Sequence, residues 1–137
     1  MWISTRGRYA LRVMVDLAEN NNGNYIPLRD IAKRQEIPEK YLESIMVSMS
    51  KAGLVKGLRG KGGGYKSALN PVDITVGRVL KVTEKDLNPQ AWIEQESGVN
   101  KTARVWQEMY RALETYMESV TVADLADQID SSDFYMI

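Results

Sequence analysis

The chain contains neither cysteine nor histidine among its 137 residues. Without cysteine it has no disulfides, no thiol nucleophile and no cysteine-ligated iron–sulfur cluster. Without histidine it also lacks the usual zinc sites and Ser-His-Asp catalysis. No stretch approaches the roughly 18 apolar residues of a membrane span, and the first residues lack the apolar core of a signal peptide. We therefore expect a soluble, cytoplasmic chain that is not an enzyme.

The net charge of zero conceals a difference between the two halves of the chain. Residues 1–66 hold twelve Lys and Arg against six Asp and Glu, a net charge of +6. Residues 67–137 hold six against twelve, a net charge of −6. A basic half next to an acidic half suits contact with a polyanion through the first half, although uneven solvation of the surface explains the numbers equally well.

Three amphipathic helices are predicted in the first 52 residues. Ser4 is a good N-cap for a helix over 5–19, and proline opens two further helices over 27–35 and 38–52. Two short helices joined by a three-residue break match a helix-turn-helix, a pattern that ordinary helical domains also produce.

The next segment predicts a β-hairpin with a basic, glycine-rich tip. Short strands over 54–56 and 65–68 flank a loop that holds Arg59 and Lys61 among five glycines. A phosphate-binding loop would be followed by a helix and would end in Gly-Lys-Ser/Thr, and this loop has neither feature. A wing that lies along the DNA minor groove fits the order helix, helix, hairpin, whereas a pure protein-interaction module does not explain it.

The remainder predicts a fourth helix, a loop and a long helix. Asp73 or Thr75 can cap the fourth helix, so residues 1–83 form the winged helix-turn-helix domain and residues 84–101 a loop. Residues 102–137 comprise a long helix and a tail. The apolar face of that helix folds back on its own domain or, as we favour, pairs with a second copy. Its residues are Val105, Met109, Ala112, Leu113, Tyr116, Met117 and Val120. The fold class is thus mainly α with a small β-hairpin.

Several motifs together resemble one family. Residues 3–10 read Ile-Ser-Thr-Arg-Gly-Arg-Tyr-Ala, residues 41–43 Tyr-Leu-Glu, and residues 53–55 Gly-Leu-Val, followed by a wing containing Arg-Gly and Gly-Gly-Gly-Tyr. The likeness continues through Trp106 and residues 121–125. The chain resembles the bacterial winged-helix transcriptional regulators that include IscR, NsrR and CymR, which implies a homodimer on a pseudo-palindromic operator in double-stranded DNA.

The resemblance also implies which residues contact DNA. The base-reading glutamate of the family falls on Glu43 and its minor-groove arginine on Arg59. A carboxylate at Glu43 can accept a hydrogen bond from cytosine N4, and Arg59 suits the negative potential of a narrow minor groove. A solvated helix charge is the alternative for Glu43. The full expected set is Ser4, Arg6, Arg8, Lys40, Tyr41, Glu43, Lys56, Arg59, Gly60 and Lys61.

The chain departs from the cluster-binding branch of this family, which carries three cysteines in the loop before the long helix. Since residues 91–100 contain none, no cofactor is expected, and the chain is similar in kind to the regulators of cysteine metabolism. Two alternatives remain open: a cluster sensor whose cysteines have been replaced, and a regulator that responds to a small ligand near Trp92 or Trp106.

The last four residues are apolar and follow a polar stretch over 130–133. An apolar tail is usually trimmed, disordered or tucked into its own domain. The resemblance implies a further interpretation, because cysteine synthase captures partner tails that end in isoleucine. We therefore expect Ile137 either to tuck inward or to dock in the active site of cysteine synthase, which would link DNA binding to sulfur status.

Overall fold

The computed structural model describes residues 3–95 and 101–127. These residues are mainly helical with one two-stranded antiparallel hairpin, so the predicted fold class is confirmed. The elements are α1 (Thr5–Glu19), α2 (Leu28–Gln35), α3 (Glu39–Lys51), β1 (Val55–Leu58), β2 (Gly64–Ser67), a 3₁₀ turn (Pro71–Asp73), α4 (Val76–Thr83), α5 (Gln90–Gln95), α6 (Ala103–Ser119) and α7 (Val122–Ala126). Within these ranges no helix combines the length and apolar character needed to cross a membrane.

Local signals set the start and end of the first three helices. The Ser4 hydroxyl accepts a hydrogen bond from the Gly7 amide at 2.9 Å, as the N-cap prediction required. Glu36 ends α2 in the left-handed region, with φ of 54°, and Pro38 precedes the first residue of α3. The left-handed residue reverses the chain, and proline cannot continue the preceding helix, so α2 and α3 form the predicted helix-turn-helix.

Strand β1 of the wing hairpin ends at Leu58, two residues beyond its predicted end, and strand β2 has a partner on both of its edges. Strand β1 pairs with β2 from Val55 opposite Ser67 to Leu58 opposite Gly64. On the other side of β2, Ile26 and Tyr65 exchange two backbone hydrogen bonds of 2.8 Å. A Cβ on Gly64 would lie 2.1 Å from the Ile26 carbonyl oxygen, so only glycine permits this close approach.

The core is one cluster of buried side chains from α1, α2, α3, β1, α4 and α7. The buried face of α3 consists of Leu42, Ile45, Met46 and Met49, each fully enclosed. Val13 and Met14 of α1 and Val79 of α4 belong to the same cluster. Each such side chain contributes roughly 1.5–3 kcal/mol relative to an exposed position, so this face fixes the orientation of α3.

The core extends beyond residue 83, the predicted end of the winged domain. Val122 at the start of α7 is completely buried, and its amide donates to the Ile74 carbonyl at 2.8 Å. The Val76 amide donates to the Val120 carbonyl at 2.9 Å, and Thr121 and Asp124 form a capping box for α7. Residues 1–83 therefore do not complete the core by themselves, because the chain returns after α6 to close it.

The predicted loop over 84–101 contains the short helix α5, which corrects the prediction of an irregular segment. The Asn88 side chain accepts a hydrogen bond from the Gln90 amide at 2.9 Å, and the Ile93 amide donates to the Pro89 carbonyl at 3.0 Å. Asparagine and proline, taken as breakers in the sequence, instead begin a helix here.

Candidate nucleic-acid interface

One face of α3 is free of the core and polar. Lys40, Glu43, Ser44 and Val47 are exposed on it, at the spacing of three and four residues that aligns side chains on one side of a helix. An amine, a carboxylate, a hydroxyl and a pair of methyl groups are the chemistries that read base edges and the thymine methyl in a major groove. The exposure of Lys40 and Glu43 agrees with the sequence prediction.

Arg6 is held within the protein, contrary to its expected place among the DNA contacts. Its guanidinium donates to the Ser44 hydroxyl at 2.7 Å, the Ser44 carbonyl at 2.9 Å and the Ser48 hydroxyl at 2.7 Å. Three of its donors therefore link α1 to α3. Arg6 therefore positions the exposed face of α3, and the three donors engaged in these bonds are not available to a phosphate.

Ser4 and Tyr41 likewise make internal contacts. Besides capping α1, the Ser4 hydroxyl donates to Glu84 at 2.7 Å and the Ser4 amide donates to the same carboxylate. The half-buried ring of Tyr41 meets Tyr9 edge to face, with centroids 5.8 Å apart. Both residues fix α1 against neighbouring elements. Arg8 is exposed, and its guanidinium donates to Thr5 at 3.0 Å, its single side-chain hydrogen bond among residues 3–95 and 101–127.

Helix α2, the first helix of the helix-turn-helix, is held against α1 by a buried carboxylate that the sequence did not single out. Asp16 is 2% exposed, and Arg34 donates to both of its oxygens at 2.8 and 2.9 Å. Gln35 donates to Asp16 at 2.8 Å as well. The hydrogen bond to Asp16 raises the pKa of Arg34. A bidentate, fully satisfied carboxylate of this kind orients α2 against α1.

The wing presents unpaired cations. Lys56, Arg59 and Lys61 are exposed, and none of them forms an ion pair with any described residue. Gly60 has a φ of 92°, which turns the chain between Arg59 and Lys61. Neighbouring cations without counterions constitute a binding surface for a polyanion.

A groove of about 400 Å³ separates the wing from α3. Val47 and Lys51 line its helical side, and Leu58 and Arg59 line its wing side. Val47 and Leu58 are about half exposed. The wing and α3 therefore present one continuous surface with apolar contacts at its centre and cations at its edge.

The apolar residues of α6 divide into two adjoining stripes. Val105, Met109, Ala112 and Tyr116 are exposed, up to 68% for Tyr116. Leu113 and Val120 are half buried, and Met117 is only 2% exposed because it packs on Gly77 of α4. This packing corrects the predicted dimer face, which included Met117, since a side chain enclosed by its own chain is not available to a second copy.

Polar contacts anchor the C-terminal half of α6 to α4. Lys81 pairs with Glu114 at 3.2 Å and with Glu118 at 3.4 Å, and the Thr75 hydroxyl donates to Glu118 at 3.0 Å. The hydrogen bond to Glu114 raises the pKa of Lys81. These contacts leave the exposed stripe of α6 facing away from the body of the protein.

Sequence reasoning missed Ser44, Ser48 and Val47. Ser44 and Val47 follow Lys40 by four and seven residues, the spacing of one helical face, and this signal could have identified them. Val47 also stands out as an apolar residue on an otherwise polar face. The pairing of Ser44 and Ser48 with Arg6 has no such local signal. The expected role of Ile137 falls on residues 128–137, which lie outside the described residues.

Comparison with known proteins identifies a family. The model of the Rrf2 family, described as iron-dependent transcriptional regulators, matches residues 3–128. The regulator CymR of Bacillus subtilis is 35% identical over 130 residues, which cover 95% of this chain and 93% of that protein. The regulator IscR of Aliivibrio salmonicida is 30% identical over 129 residues, covering 91% and 77%.

Solved structures give the same result. The structure of CymR, the global cysteine regulator of B. subtilis, superposes with a TM-score of 0.80 at 32% identity and covers 95% of this chain and 99% of that one. The structure of T. potens IscR has a TM-score of 0.78 at 33% identity, with coverage of 98% and 97%.

The family description names iron, but this chain lacks the residue types that hold an iron–sulfur cluster. An iron–sulfur cluster is held by cysteine thiolates, in some cases with histidine, and the sequence has neither residue. Within residues 3–95 and 101–127, no three Asp or Glu side chains converge in a group able to hold a metal ion. The helix-turn-helix, the wing and the extent of the matches nevertheless agree, and the chain belongs to the Rrf2 family of transcriptional regulators.

Proposed function

We propose that the protein is a sequence-specific, DNA-binding transcriptional regulator that represses its target genes as a cytoplasmic homodimer without an iron–sulfur cluster. One observation carries the proposal: the exposed polar face of α3 and the unpaired cations of the wing form one continuous surface. Family membership supports this function and argues against an enzyme, since the matched relatives are transcriptional regulators.

Specificity comes from α3 in the major groove. Glu43 accepts a hydrogen bond from cytosine N4, Lys40 reaches a base or a phosphate, and Val47 contacts a thymine methyl. A carboxylate at this interface repels phosphates, so its benefit is discrimination between sequences and not total affinity. Arg6 contributes by holding Ser44 and Ser48, and hence the whole face, in place.

Affinity comes largely from the wing. Arg59 enters the minor groove, where the negative potential is strongest when the groove is narrow, while Lys56 and Lys61 contact phosphates. Gly60 allows the backbone to approach the sugar-phosphate edge closely.

A two-fold axis relates two such surfaces. The exposed stripe of α6, from Val105 to Tyr116, meets its counterpart in a second copy. The operator is then a pseudo-palindrome with half-sites one helical turn, or a multiple of it, apart.

The signal to which the regulator responds involves cysteine metabolism in this proposal, on the strength of the likeness to CymR. In that case the host's cysteine synthase captures Ile137. Calorimetry of the enzyme with the full chain and with a variant lacking Ile137 tests this partner. Binding only by the full chain supports it, and equal binding by both, or by neither, removes it.

Selection of bound fragments from a random DNA pool tests the proposed function itself. We expect enrichment of a two-fold symmetric site, and binding to that site should weaken steeply as salt rises. The double variant Arg59→Ala, Lys61→Ala serves as the control, because it keeps α3 and lacks the wing cations. Failure of the wild-type chain to enrich any sequence contradicts the proposal.

A further inference from the structure

A pocket of about 240 Å³ lies between α5 and α6, away from the proposed DNA-binding surface. Trp92, Trp106, Met109, Tyr110 and Leu113 form its apolar walls, and Asp86 contributes a carboxylate. A cavity of about 150 Å³ accepts benzene, so this space suits a molecule with one aromatic ring and a short substituent.

The aromatic walls are open to solvent. The ring centroids of Trp92 and Trp106 are 6.1 Å apart with an angle of 58° between the planes. Both side chains are more than a third exposed, and neither indole N–H has a hydrogen-bond partner among the described residues. The two tilted indoles contact each other and, beside a tyrosine, offer electron-rich ring faces to a guest that lies against them.

The charge of the pocket is of one sign. Asp86 is its single charged lining residue, and within the described part of the chain it accepts no hydrogen bond and pairs with no cation. Of the cations on neighbouring elements, Lys81 pairs with Glu114 and Glu118, and Arg104 pairs with Glu108 at 2.8 Å. Lys85 and Arg111 form no ion pair with a described residue, but neither of them lines the pocket. An unpaired carboxylate next to aromatic faces selects a cationic ligand over a neutral or anionic one.

We propose that this pocket binds a small aromatic amine in its cationic form, with the ring against Trp92 and Trp106 and the ammonium group at Asp86. The proposal deepens the proposed function, because the ligand would be a signal for the regulator. The alternative occupant is a second copy of the chain, because Met109 belongs both to the pocket wall and to the exposed stripe of α6. The unpaired carboxylate of Asp86 favours a cationic ligand over the apolar stripe of a second copy.

The pocket has a short connection to α3. Asp86 lies two residues beyond Glu84, which accepts both hydrogen bonds from Ser4. Two residues beyond Ser4, Arg6 holds Ser44 and Ser48. A ligand that pairs with Asp86 contacts the segment whose Glu84 is bonded to Ser4, close to Arg6, which positions the proposed recognition helix. Binding of the ligand should therefore change operator affinity.

Calorimetry on the full chain without DNA tests the site with three probes of matched size: 2-phenylethylammonium, 2-phenylethanol and phenylacetate. We expect the ammonium probe to bind at least tenfold more tightly than the alcohol and phenylacetate to bind weakest. Asp86→Asn should remove most of the preference for the ammonium while leaving the alcohol unchanged. Asp73→Asn, which changes an exposed carboxylate outside the pocket, is the matched control.

Equal affinity for the three probes, undetectable binding of the ammonium probe, or an Asp86→Asn variant with wild-type preference would overturn the proposal. Binding that emerges only in the Tyr116→Glu variant, designed to be monomeric, would also overturn it by assigning the pocket to a second copy. Because these measurements contain no DNA, their failure is separate from failure of DNA binding. Operator affinity with and without 2-phenylethylammonium then tests the coupling to α3.

Discussion

The carboxylate of Glu84 accepts two hydrogen bonds from Ser4, one from its amide and one from its hydroxyl at 2.7 Å. The contact joins the end of α4 to the residue that caps α1, across 80 positions of the chain. It also lies between the aromatic pocket and Arg6, whose guanidinium holds α3. Glu84 thus connects the segment after α4 to the proposed DNA-reading helix.

This contact should make stability depend on pH. Burial acts to raise the pKa of Glu84, but the hydrogen bonds from Ser4 and Thr83 outweigh it and leave the pKa below the ordinary value of 4.5. The stabilisation is therefore complete above that value and is lost as the pH falls through the folded-state pKa. We expect Glu84→Gln to lower the free energy of unfolding by about 1–2 kcal/mol at pH 7.

Urea unfolding at pH 7 and pH 3 measures this effect. The difference between wild type and Glu84→Gln should shrink at the lower pH. Glu36→Gln is the control, because the carboxylate of Glu36 is exposed and accepts no hydrogen bond from a described residue. A difference that stays constant between the two pH values would refute the assignment.

Arg6→Ala should weaken operator binding about tenfold without changing its salt dependence. The reason is that Arg6 contacts Ser44 and Ser48 instead of a phosphate. The variant should therefore release as many counterions from the DNA on binding as the wild type does. Fluorescence anisotropy at four salt concentrations measures both quantities. A slope reduced by about 0.9 would instead show that Arg6 neutralises a phosphate. Exposed Arg8, replaced by Ala, is the comparison.

Arg59→Ala should cost about 1–3 kcal/mol of operator affinity while the circular dichroism spectrum stays unchanged. Arg59 is exposed at the wing tip and packs on nothing in the core, so folding does not need it. Lys61→Ala should instead weaken binding equally for all sequences, as expected of a phosphate contact. Wild-type affinity in a folded Arg59→Ala protein would exclude a wing contact.

Glu43→Ala should relax base preference more than it reduces total affinity, because removing the carboxylate also removes repulsion from phosphates. We expect discrimination at one base pair per half-site to fall by about 1–3 kcal/mol, while non-specific binding rises. Competition titrations with single-substituted operators give the values. Glu39→Ala, at the exposed start of the same helix, is the control. A uniform loss across all operators would show that Glu43 reads no base.

Tyr116→Glu should raise the dimer dissociation constant more than tenfold and leave the fold intact, since Tyr116 is 68% exposed. Met117→Glu should unfold the protein, because a buried unpaired charge is costly next to Gly77. Sedimentation and thermal unfolding distinguish the two outcomes. A Tyr116→Glu chain that remains fully dimeric would place the dimer contact elsewhere.

The sequence predicted the elements whose signals are local. The Ser4 cap, the turn before Pro38 and the glycine wing are each encoded within a few residues, and the structure has all of them. Of the two caps expected for α4, Asp73 and Thr75, the structure uses Thr75. Helix α5 was missed because asparagine followed by proline is typical both of a break and of a helix start.

Tertiary contacts account for the other differences. The helical period of α6 places apolar residues on two neighbouring stripes, and only the position of α4 decides that Met117 is enclosed and Met109 is not. The same holds for Arg6, whose three bonds to α3 span about 40 positions of sequence. Spacing along one helix carries no information about a partner on another.

The two halves of α6 contact different elements. Contacts to α4 fix the half that carries Glu114, Met117 and Glu118, whereas the half that begins near Val105 contacts the short helix α5 through Trp106 and Trp92. With 17 residues the helix is about 25 Å long, so a pivot of about 5° at the anchor moves the far end by about 2 Å. In a two-fold symmetric dimer the two copies of α6 pivot together. A change too small to disturb the core then alters the separation of the two α3 surfaces, so that they no longer match the helical repeat of the DNA.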